Sequence, residues 1–275
     1  MTLLLATLSL ILGTAIGSFL SVVIYRVHAN KKGIFLSRSI CPNCKKQIKC
    51  SHLIPVLSWI FLRGKCAYCN QKISVHYMLL EVMTGILFLA IFLKWNFLEI
   101  IPSTIISQPL NYSINWDTFA LFIFYSIESA FLMTIFFYDL MYKEILDRFS
   151  LVAAVIAIAG NLSLGLIPPT EMLIGGAAIF GFFAIQHLLS KGTWIGGGDL
   201  RMGLLMGILL GSKLGLVALA SAYIIGGIMS VYLLLTGKVT KKTAIPFGPF
   251  LVIGTLIAIF YGKIIITFYT TSILI

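Results

Sequence analysis

The sequence predicts an all-α polytopic membrane protein with about eight transmembrane helices and a small cysteine-containing module between helices 1 and 2. Of its 275 residues, 59% are hydrophobic and only 11% are charged, whereas a soluble domain carries about 25% charged residues. The mean hydropathy is +1.03. Apolar runs long enough to cross a bilayer recur along the chain. These observations exclude an ordinary soluble enzyme, a disordered chain and a coiled coil.

The apolar runs give the order of the helices. They span 3–25, 76–94, 117–138, 149–167, 171–189, 200–211, 214–235 and 246–269. The first run is not a typical secretory signal, because no Lys or Arg precedes it and no small-residue cleavage site follows it. The sixth run is short, since twelve residues reach only about 18 Å of a roughly 30 Å hydrocarbon core. This agrees with an interruption of the helix at the three glycines 196–198, and we expect Asp199 to lie below the membrane surface in a wet cleft.

The boundaries of these runs predict four regions. Residues 1–26 form the first transmembrane helix, and 27–75 form a polar module. Residues 76–116 form the second helix with an outer loop, and 117–275 form a six-helix membrane domain.

The distribution of Lys and Arg predicts the topology. Segment 26–75 holds ten of the 20, loop 139–148 two, region 190–201 two and loop 236–244 three. With alternating spans all four segments lie on one side, which the positive-inside rule makes cytosolic, so the N-terminus is outside. The net charge of +11 also suits nucleic-acid binding, but no helix-turn-helix or aromatic-rich RNA motif accompanies it. We attribute the charge to topology and attraction to anionic lipid.

Four cysteines of the polar module stand in two C-x-x-C pairs, Cys41 with Cys44 and Cys66 with Cys69. Two such pairs supply the four thiolates of a tetrahedral zinc site, and a closed four-thiolate site is structural rather than catalytic. Zinc would also supply folding energy to a loop that has no hydrophobic core. Disulfides and a redox pair are the alternatives. We predict structural zinc and an unliganded Cys50.

Two aspartates fall at cytosolic ends of apolar runs: Asp139 after the third span, and Asp199 directly after three glycines, 196–198. Ionisable groups at membrane depth are functional candidates by default. Glycines without side chains let a substrate backbone approach closely. Two carboxyl groups in one cleft suggest aspartyl hydrolysis, in which one activates water and the other polarises the scissile carbonyl.

Other interpretations of these acids stay open. Asp199 also fits an ordinary helix cap paired with Arg201. Glu128, in the middle of the third span, is either a relay group or a neutral acid bonded to a neighbouring helix, and we favour the second. An ion-coupled transporter that uses Glu128, Asp139 and Asp199 is a further alternative, as is an assembly factor without catalysis.

Several motifs stand in order along the chain: Gly17–Arg26, Cys41–Cys44 with Ile54–Trp59, Arg63–Cys69, Glu81–Gly85, Asp139 with Asp147, Gly196–Asp199, and Ile245–Phe250. Together they resemble the type IV prepilin peptidases, a family of bacterial leader peptidase/N-methyltransferases with G-x-G-D aspartic protease chemistry. Ser21, His76, Met78 and Leu146 depart from the residues common in the family.

The resemblance implies an intramembrane aspartic endopeptidase of the bacterial inner membrane. Its substrates are prepilins and pseudopilins, cut after a Gly at the cytosolic face. Asp139 and Asp199 take the catalytic roles, and Asp147, Gly196 and Gly198 support them.

The resemblance also implies a second activity, methylation of the new N-terminus with S-adenosylmethionine as the methyl donor. The implied site comprises the 27–75 module with the region of Glu81 and Gly85. The residues themselves show no Rossmann-type G-x-G-x-x-G. A peptidase without methyltransferase activity is therefore the alternative.

Overall fold

The computed structural model describes residues 1–30, 39–101, 111–238, 240 and 245–272. The described chain is almost entirely helical. Its helices are α1 Thr2–His28, α2 Leu57–Phe61, α3 Val75–Lys94, α4 Trp116–Tyr142, α5 Asp147–Leu164, α6 Pro169–Ser190, α7 Gly197–Leu235 and α8 Gly248–Ser272. All except α2 are long and apolar enough to cross a membrane. These seven helices fit a multi-pass membrane protein.

Two compact units make up the chain, 1–133 and 134–275, and the division falls inside α4. In the first unit, α1 packs closely along α3. A Cβ at Gly13 would lie 2.7 Å from the Thr84 carbonyl oxygen, and one at Gly17 would lie 2.8 Å from the Glu81 Cα. These glycines let the two helices approach closely enough to bring Ser18 beside Glu81.

Helix α7 of the second unit reverses direction at Gly211. Its φ of 72° and ψ of −173° are not helical, and glycine adopts this region without a Cβ penalty. We call residues 197–210 the first limb of α7 and residues 212–235 the second limb. The reversal is shown by Gly215, whose added Cβ would lie 3.7 Å from the Gly207 Cα. In a continuous helix these residues would be about 12 Å apart along the axis.

Small residues join the first limb of α7 to α6. A Cβ at Gly207 would lie 2.2 Å from both the carbonyl carbon and the oxygen of Gly175. A Cβ at Gly203 would lie 2.6 Å from the Phe183 ring. The two backbones therefore meet directly, as they do where small residues line a helix pair in a membrane. This contact fixes the position of the limb that carries Asp199.

The predicted all-helical membrane fold is confirmed, with local differences. The predicted spans 200–211 and 214–235 are the two limbs of one element, separated by a single residue. Part of the loop 95–116 forms a two-stranded antiparallel hairpin, β1 Leu98–Ile101 and β2 Asn111–Ile114. Strand pairing satisfies backbone groups there. Five cations used for the topology prediction lie outside the described residues: Lys31, Lys32, Arg38, Lys241 and Lys242.

We predict that Gly207→Ala lowers the thermal stability of the detergent-solubilised protein. The added methyl group overlaps the Gly175 backbone, and overpacking of this kind destabilises by about 1–3 kcal/mol. Gly181→Ala is the matched control, because no heavy atom lies within 4 Å of a Cβ built at Gly181. Equal midpoints of thermal unfolding for the two variants would contradict the close contact.

Candidate functional site

Asp139 lies near the C-terminal end of α4 and is only 5% exposed. Its Oδ2 accepts a hydrogen bond of 2.8 Å from the backbone N–H of Gly248, the first residue of α8. A Cβ at Gly248 would lie 2.6 Å from this oxygen, so a glycine is required for the contact. The free N–H groups of a helix start favour a negative charge at this position.

Asp199 is held in a similar way at the start of α7. Its Oδ2 accepts a hydrogen bond of 3.1 Å from the backbone N–H of Gly196, the residue that precedes the helix. An aspartate in the first helical turn is also favoured by the helix dipole. The cap predicted for Asp199 is therefore present, although Arg201 does not pair with it. The structure pairs Arg201 with Asp147 instead.

The two carboxyl groups lie close enough for the charge of Asp139 to act on Asp199. Ile145 contacts the glycines on both sides of the pair. A Cβ at Gly198 would lie 2.7 Å from the Ile145 Cβ, and one at Gly248 would lie 3.0 Å from its Cδ1. Ile145 thus brings together the α4–α5 connection and the starts of α7 and α8. Asp139 and Asp199 therefore lie in the same part of the second unit, and their action as a catalytic dyad stays a prediction.

The three glycines before Asp199 have different surroundings. Gly198 packs tightly on Ile145, whereas a Cβ at Gly197 would meet no heavy atom within 4 Å. A Cβ at Gly196 would meet only Asp199 and Gly198 at 3.7–4.0 Å. Open space therefore lies beside Gly196 and Gly197, at the carboxyl group of Asp199.

Two further acids lie in the long helices of the chain, and Glu128 differs from the expectation. Glu128 is completely buried, and neither of its oxygens has a hydrogen-bond partner in the described part of the chain. The expected bond to a neighbouring helix is thus absent there. Glu171, in the first turn of α6, accepts hydrogen bonds from the backbone N–H and the hydroxyl group of Ser212.

The four predicted metal-ligating cysteines form one cluster in the first unit. The sulfurs of Cys41, Cys44, Cys66 and Cys69 all lie within 4.8 Å of one another. Each C-x-x-C pair is followed by a residue in the left-handed conformation, Lys45 with φ 58° and Asn70 with φ 55°. Lys45 N–H donates to the Cys41 carbonyl, and Asn70 N–H donates to the Cys66 carbonyl, both at 3.0 Å. The two pairs therefore form matching tight turns.

The sulfur geometry fits a tetrahedral metal. Four sulfurs at about 2.3 Å from a zinc ion lie roughly 3.8 Å apart, and Cys41 and Cys69 sulfurs are separated by 3.9 Å. The Gln71 backbone N–H and the Asn43 amide lower the pKa of the Cys69 thiol to about 6. The thiolate is the form that binds metal. All five cysteines are free thiols, and Cys50 lies exposed outside the cluster.

A cavity of about 690 Å³ lies in the first unit between α1, α3 and the polar module. Its size is typical of a site for a small ligand. Glu81 is the only acid among the described lining residues, and Arg26 and Lys72 are the basic ones. Four aromatic side chains share the lining: Tyr25, Trp59, Tyr68 and Tyr77.

Glu81 is anchored in this cavity by two donors. The Val56 N–H donates to its Oε2 at 2.6 Å, and the Ser18 hydroxyl forms a second hydrogen bond. Val56 has φ 63° and ψ −53°, which is strained for a β-branched residue. Gly85, predicted to belong to the same region, does not line the cavity. A Cβ at Gly85 would lie 2.6 Å from the Thr14 Cγ2 of α1, so Gly85 is a helix-packing residue.

Some site residues were not singled out from the sequence. Gly248 lies in the matching segment Ile245–Phe250, but its hydrogen bond to Asp139 joins two helix ends that are distant in the sequence. His187 Nδ1 lies 2.7 Å from the Ile195 carbonyl oxygen and holds the segment that precedes the glycines. A lone histidine in an apolar run gave no signal for this contact.

Fold and site together define a polytopic membrane protein with a carboxyl pair in one unit and a four-cysteine cluster in the other. Residues 11–95 match the Bacterial Peptidase A24 N-terminal domain, and residues 112–231 match the Type IV leader peptidase family. The chain is similar over nearly its whole length to proteins named prepilin leader peptidase/N-methyltransferase. It therefore belongs to the prepilin leader peptidase/N-methyltransferase family.

Three of these relatives illustrate the extent of the similarity. The protein from Legionella pneumophila is 30% identical, over 93% of this chain and 91% of the relative. The protein from Bacillus subtilis is 29% identical, over 94% and 95%. The protein from Neisseria gonorrhoeae is 28% identical, over 90% and 87%. No solved structure matches the chain.

We predict that the purified protein contains about one zinc ion per chain and that Cys66→Ser loses it. One lost thiolate opens the tetrahedral site, and metal affinity supplies folding energy to the module. Elemental analysis measures the metal, and limited proteolysis of segment 39–74 measures the order of the module. Cys50→Ser is the matched control and should retain zinc. A metal-free wild-type protein with the same protease resistance would contradict the prediction.

Proposed function

We propose that this chain is an intramembrane aspartic endopeptidase that removes the leader peptides of prepilins or pseudopilins. The observation that carries the proposal is the carboxyl pair of Asp139 and Asp199, with each group anchored by a backbone N–H at a helix start. The family relationship gives the substrate class, because the relatives are named prepilin leader peptidases. Cleavage after a Gly, at the cytosolic face, is part of the proposal.

The chemistry follows from two carboxyl groups that share one proton. The ionised group takes a proton from water as the water attacks the scissile carbonyl, and the protonated group donates to the carbonyl oxygen. The tetrahedral intermediate then collapses as a proton passes to the leaving amine. Each anchoring N–H bonds to an Oδ2, so we assign these proton transfers to the Oδ1 atoms.

The glycines before Asp199 provide room for the substrate. Gly196 and Gly197 leave open space, and a peptide in extended conformation needs close approach to the carboxyl pair. Nearby, the aromatic rings of Phe183, Tyr223 and Phe247 pack against one another. Phe183 is buried in this cluster and Tyr223 is 37% exposed, and an exposed apolar ring suits the hydrophobic helix of a pilin better than a charged leader. We propose that Asp147, paired with Arg201, supports the loop that precedes α5.

We propose that the cavity of the first unit holds S-adenosylmethionine for methylation of the new N-terminus. The relatives are named N-methyltransferases, and the lining residues suit the donor. Aromatic faces attract a sulfonium and stack on an adenine, and Arg26 and Lys72 suit its carboxylate. When bound, the donor supplies a methyl group to an amine.

Within this cavity, we assign to Glu81 the binding of the pilin N-terminal ammonium. A carboxylate has about four acceptor positions, and Val56 and Ser18 use two of them. The remaining positions hold the ammonium and accept the proton that it must lose before the nitrogen lone pair becomes nucleophilic. The four-cysteine cluster, through structural zinc, keeps the module folded around the cavity.

We predict that Asp139→Asn and Asp199→Asn each reduce prepilin cleavage by at least about 100-fold, the usual contribution of a positioned acid or base. Asparagine preserves the acceptor for the anchoring N–H but has no ionisable proton. The measurement is the mass of the product from detergent-purified protein and a prepilin. Asp147→Asn should be less affected, because Asp147 pairs with Arg201 outside the dyad. Full cleavage by either of the first two variants would refute the aspartyl mechanism.

We predict that Glu81→Gln reduces N-methylation by at least about 10-fold and leaves cleavage within about twofold of wild type. Glutamine still accepts from Val56 and Ser18, but it cannot take the proton of the ammonium. The measurement is methyl incorporation into a pilin supplied already cleaved. Asp117→Asn, at an exposed acid of the same unit, is the matched control. Normal methylation by Glu81→Gln would remove Glu81 from the reaction.

A further inference from the structure

The reversal of α7 at Gly211 leaves backbone groups without their helical partners. In a continuous helix the Ile208 carbonyl accepts from the Ser212 N–H, four residues later. The φ of 72° and ψ of −173° at Gly211 turn Ser212 away from this carbonyl. Such orphaned groups need other partners where water is excluded.

Side chains from two neighbouring helices meet these two groups. Asn161 of α5 donates through Nδ2 to the Ile208 carbonyl oxygen at 2.9 Å. Glu171 of α6 accepts through Oε2 from the Ser212 N–H at 3.4 Å and from the Ser212 hydroxyl at 2.5 Å. Asn161 is only 1% exposed. The Asn161 amide thus replaces the N–H donor that the Ile208 carbonyl has lost, and the Glu171 carboxylate replaces the carbonyl acceptor that the Ser212 N–H has lost.

The two side chains come from opposite ends of a short connection. Asn161 lies in the last turn of α5, which ends at Leu164, and Glu171 lies in the first turn of α6, which begins at Pro169. We call Asn161 and Glu171 the hairpin clamp. The clamp ties the turn of α7 to the adjacent ends of α5 and α6.

We propose that the hairpin clamp positions Asp199 for peptide cleavage, and this inference rests on the proposed peptidase function. Asp199 and Ile208 belong to the same rigid limb and are separated by about 14 Å along its axis. A helix transmits displacement along its axis, so a shift at Ile208 moves Asp199. Asp139 is anchored separately by Gly248 of α8. The alignment of the two carboxyl groups therefore depends on the position along the α6 axis at which the first limb of α7 is held.

A positioning role and a purely stabilising role of the hairpin clamp predict different effects on kcat. A stabilising bond affects the folded fraction and leaves the chemistry of folded molecules unchanged. A positioning bond lowers kcat in molecules that are folded, because a displacement of about 1 Å is enough to reduce rates about 100-fold. KM should change little, since neither clamp residue lies beside the open space at Gly196 and Gly197.

The test uses the full-length protein in detergent with a prepilin substrate, at a temperature where every variant is shown to be folded. Asn161→Leu removes the donor at nearly constant volume, and Glu171→Leu removes the acceptor. We expect each to lower kcat about 10–100-fold with KM within about threefold. Glu171→Gln keeps an acceptor oxygen and should restore kcat to within about threefold of wild type. Ser163→Leu is the matched control, because the Ser163 hydroxyl bonds only to the Gly160 carbonyl of its own helix.

Two controls distinguish a failure of the hairpin clamp from a failure of the proposed peptidase function. Methylation of a pre-cleaved pilin should be unchanged in all clamp variants, because the proposed methyl-transfer cavity lies in the other unit. Asp199→Asn should abolish cleavage, and its failure to do so would overturn the peptidase proposal itself. If Asp199→Asn is inactive while both leucine variants keep wild-type kcat, the hairpin clamp is overturned.

A milder variant applies if a leucine variant does not fold. Ser212→Ala removes only the hydroxyl donor to Glu171 and leaves the backbone N–H. We expect its kcat to fall about 3–10-fold, with a shift in the pH profile of kcat that a change in folded fraction does not produce. Wild-type kcat together with an unchanged pH profile for Ser212→Ala would equally overturn the proposal.

Discussion

A backbone group that is buried among apolar helices has no water to bond to, and this constraint organises the second unit. Each break between helices exposes N–H and carbonyl groups that the structure must satisfy. The Gly248 N–H meets this requirement through a buried hydrogen bond to Asp139, and the N–H of Gly196, an exposed residue, binds the carboxyl group of Asp199. The chain therefore uses the unavoidable defects of its helices to position its acids.

The same constraint explains why glycine recurs in this unit. At Gly248 and Gly198 a side chain would collide with Asp139 or Ile145. At Gly211 the reversal requires a conformation that other residues avoid. In lipid there is no hydrophobic driving force that holds helices together, as there is in a water-soluble core. The backbones of α6 and the first limb of α7 pack directly against each other instead. Precise placement of Asp199 follows from backbone contact and hydrogen bonding.

In the first unit a polar module must be held in place, and close helix packing and hydrogen bonds to backbone groups contribute to this as well. In the described part of its polar module, residues 39–74, Cys41 and Cys66 are the buried apolar side chains, and the four-cysteine cluster brings the two tight turns together. Close packing of α1 on α3 places Ser18 beside Glu81, which in turn binds the strained Val56. A strained residue persists only where its surroundings over-determine it. The wall of the cavity is therefore tied to the transmembrane helices.

Much of this architecture could be predicted from the sequence because its signals are local. Hydropathy located the helices, including the separate runs 200–211 and 214–235 that correspond to the two limbs of α7, and the cysteine spacing indicated one cluster. The partners of Asn161 and Glu171 could not be predicted, because they are backbone groups released by a reversal within another helix. The pairing of Arg201 with Asp147 rather than Asp199 also depends on tertiary contacts. The position of Gly85 in a helix interface shows that sharing a motif with Glu81 does not place both residues in one cavity.

The central claim is that Asp139 and Asp199 act as one chemical unit. The most direct measurement is the single-turnover rate of prepilin cleavage by the double variant Asp139→Asn/Asp199→Asn, compared with both single variants. Residues that act as a unit have strongly non-additive effects, because removing the first already eliminates the shared step. We therefore expect the double variant to be no slower than the slower single variant by more than about threefold. Rate losses that multiply would show that the two carboxyl groups act independently and would contradict the dyad.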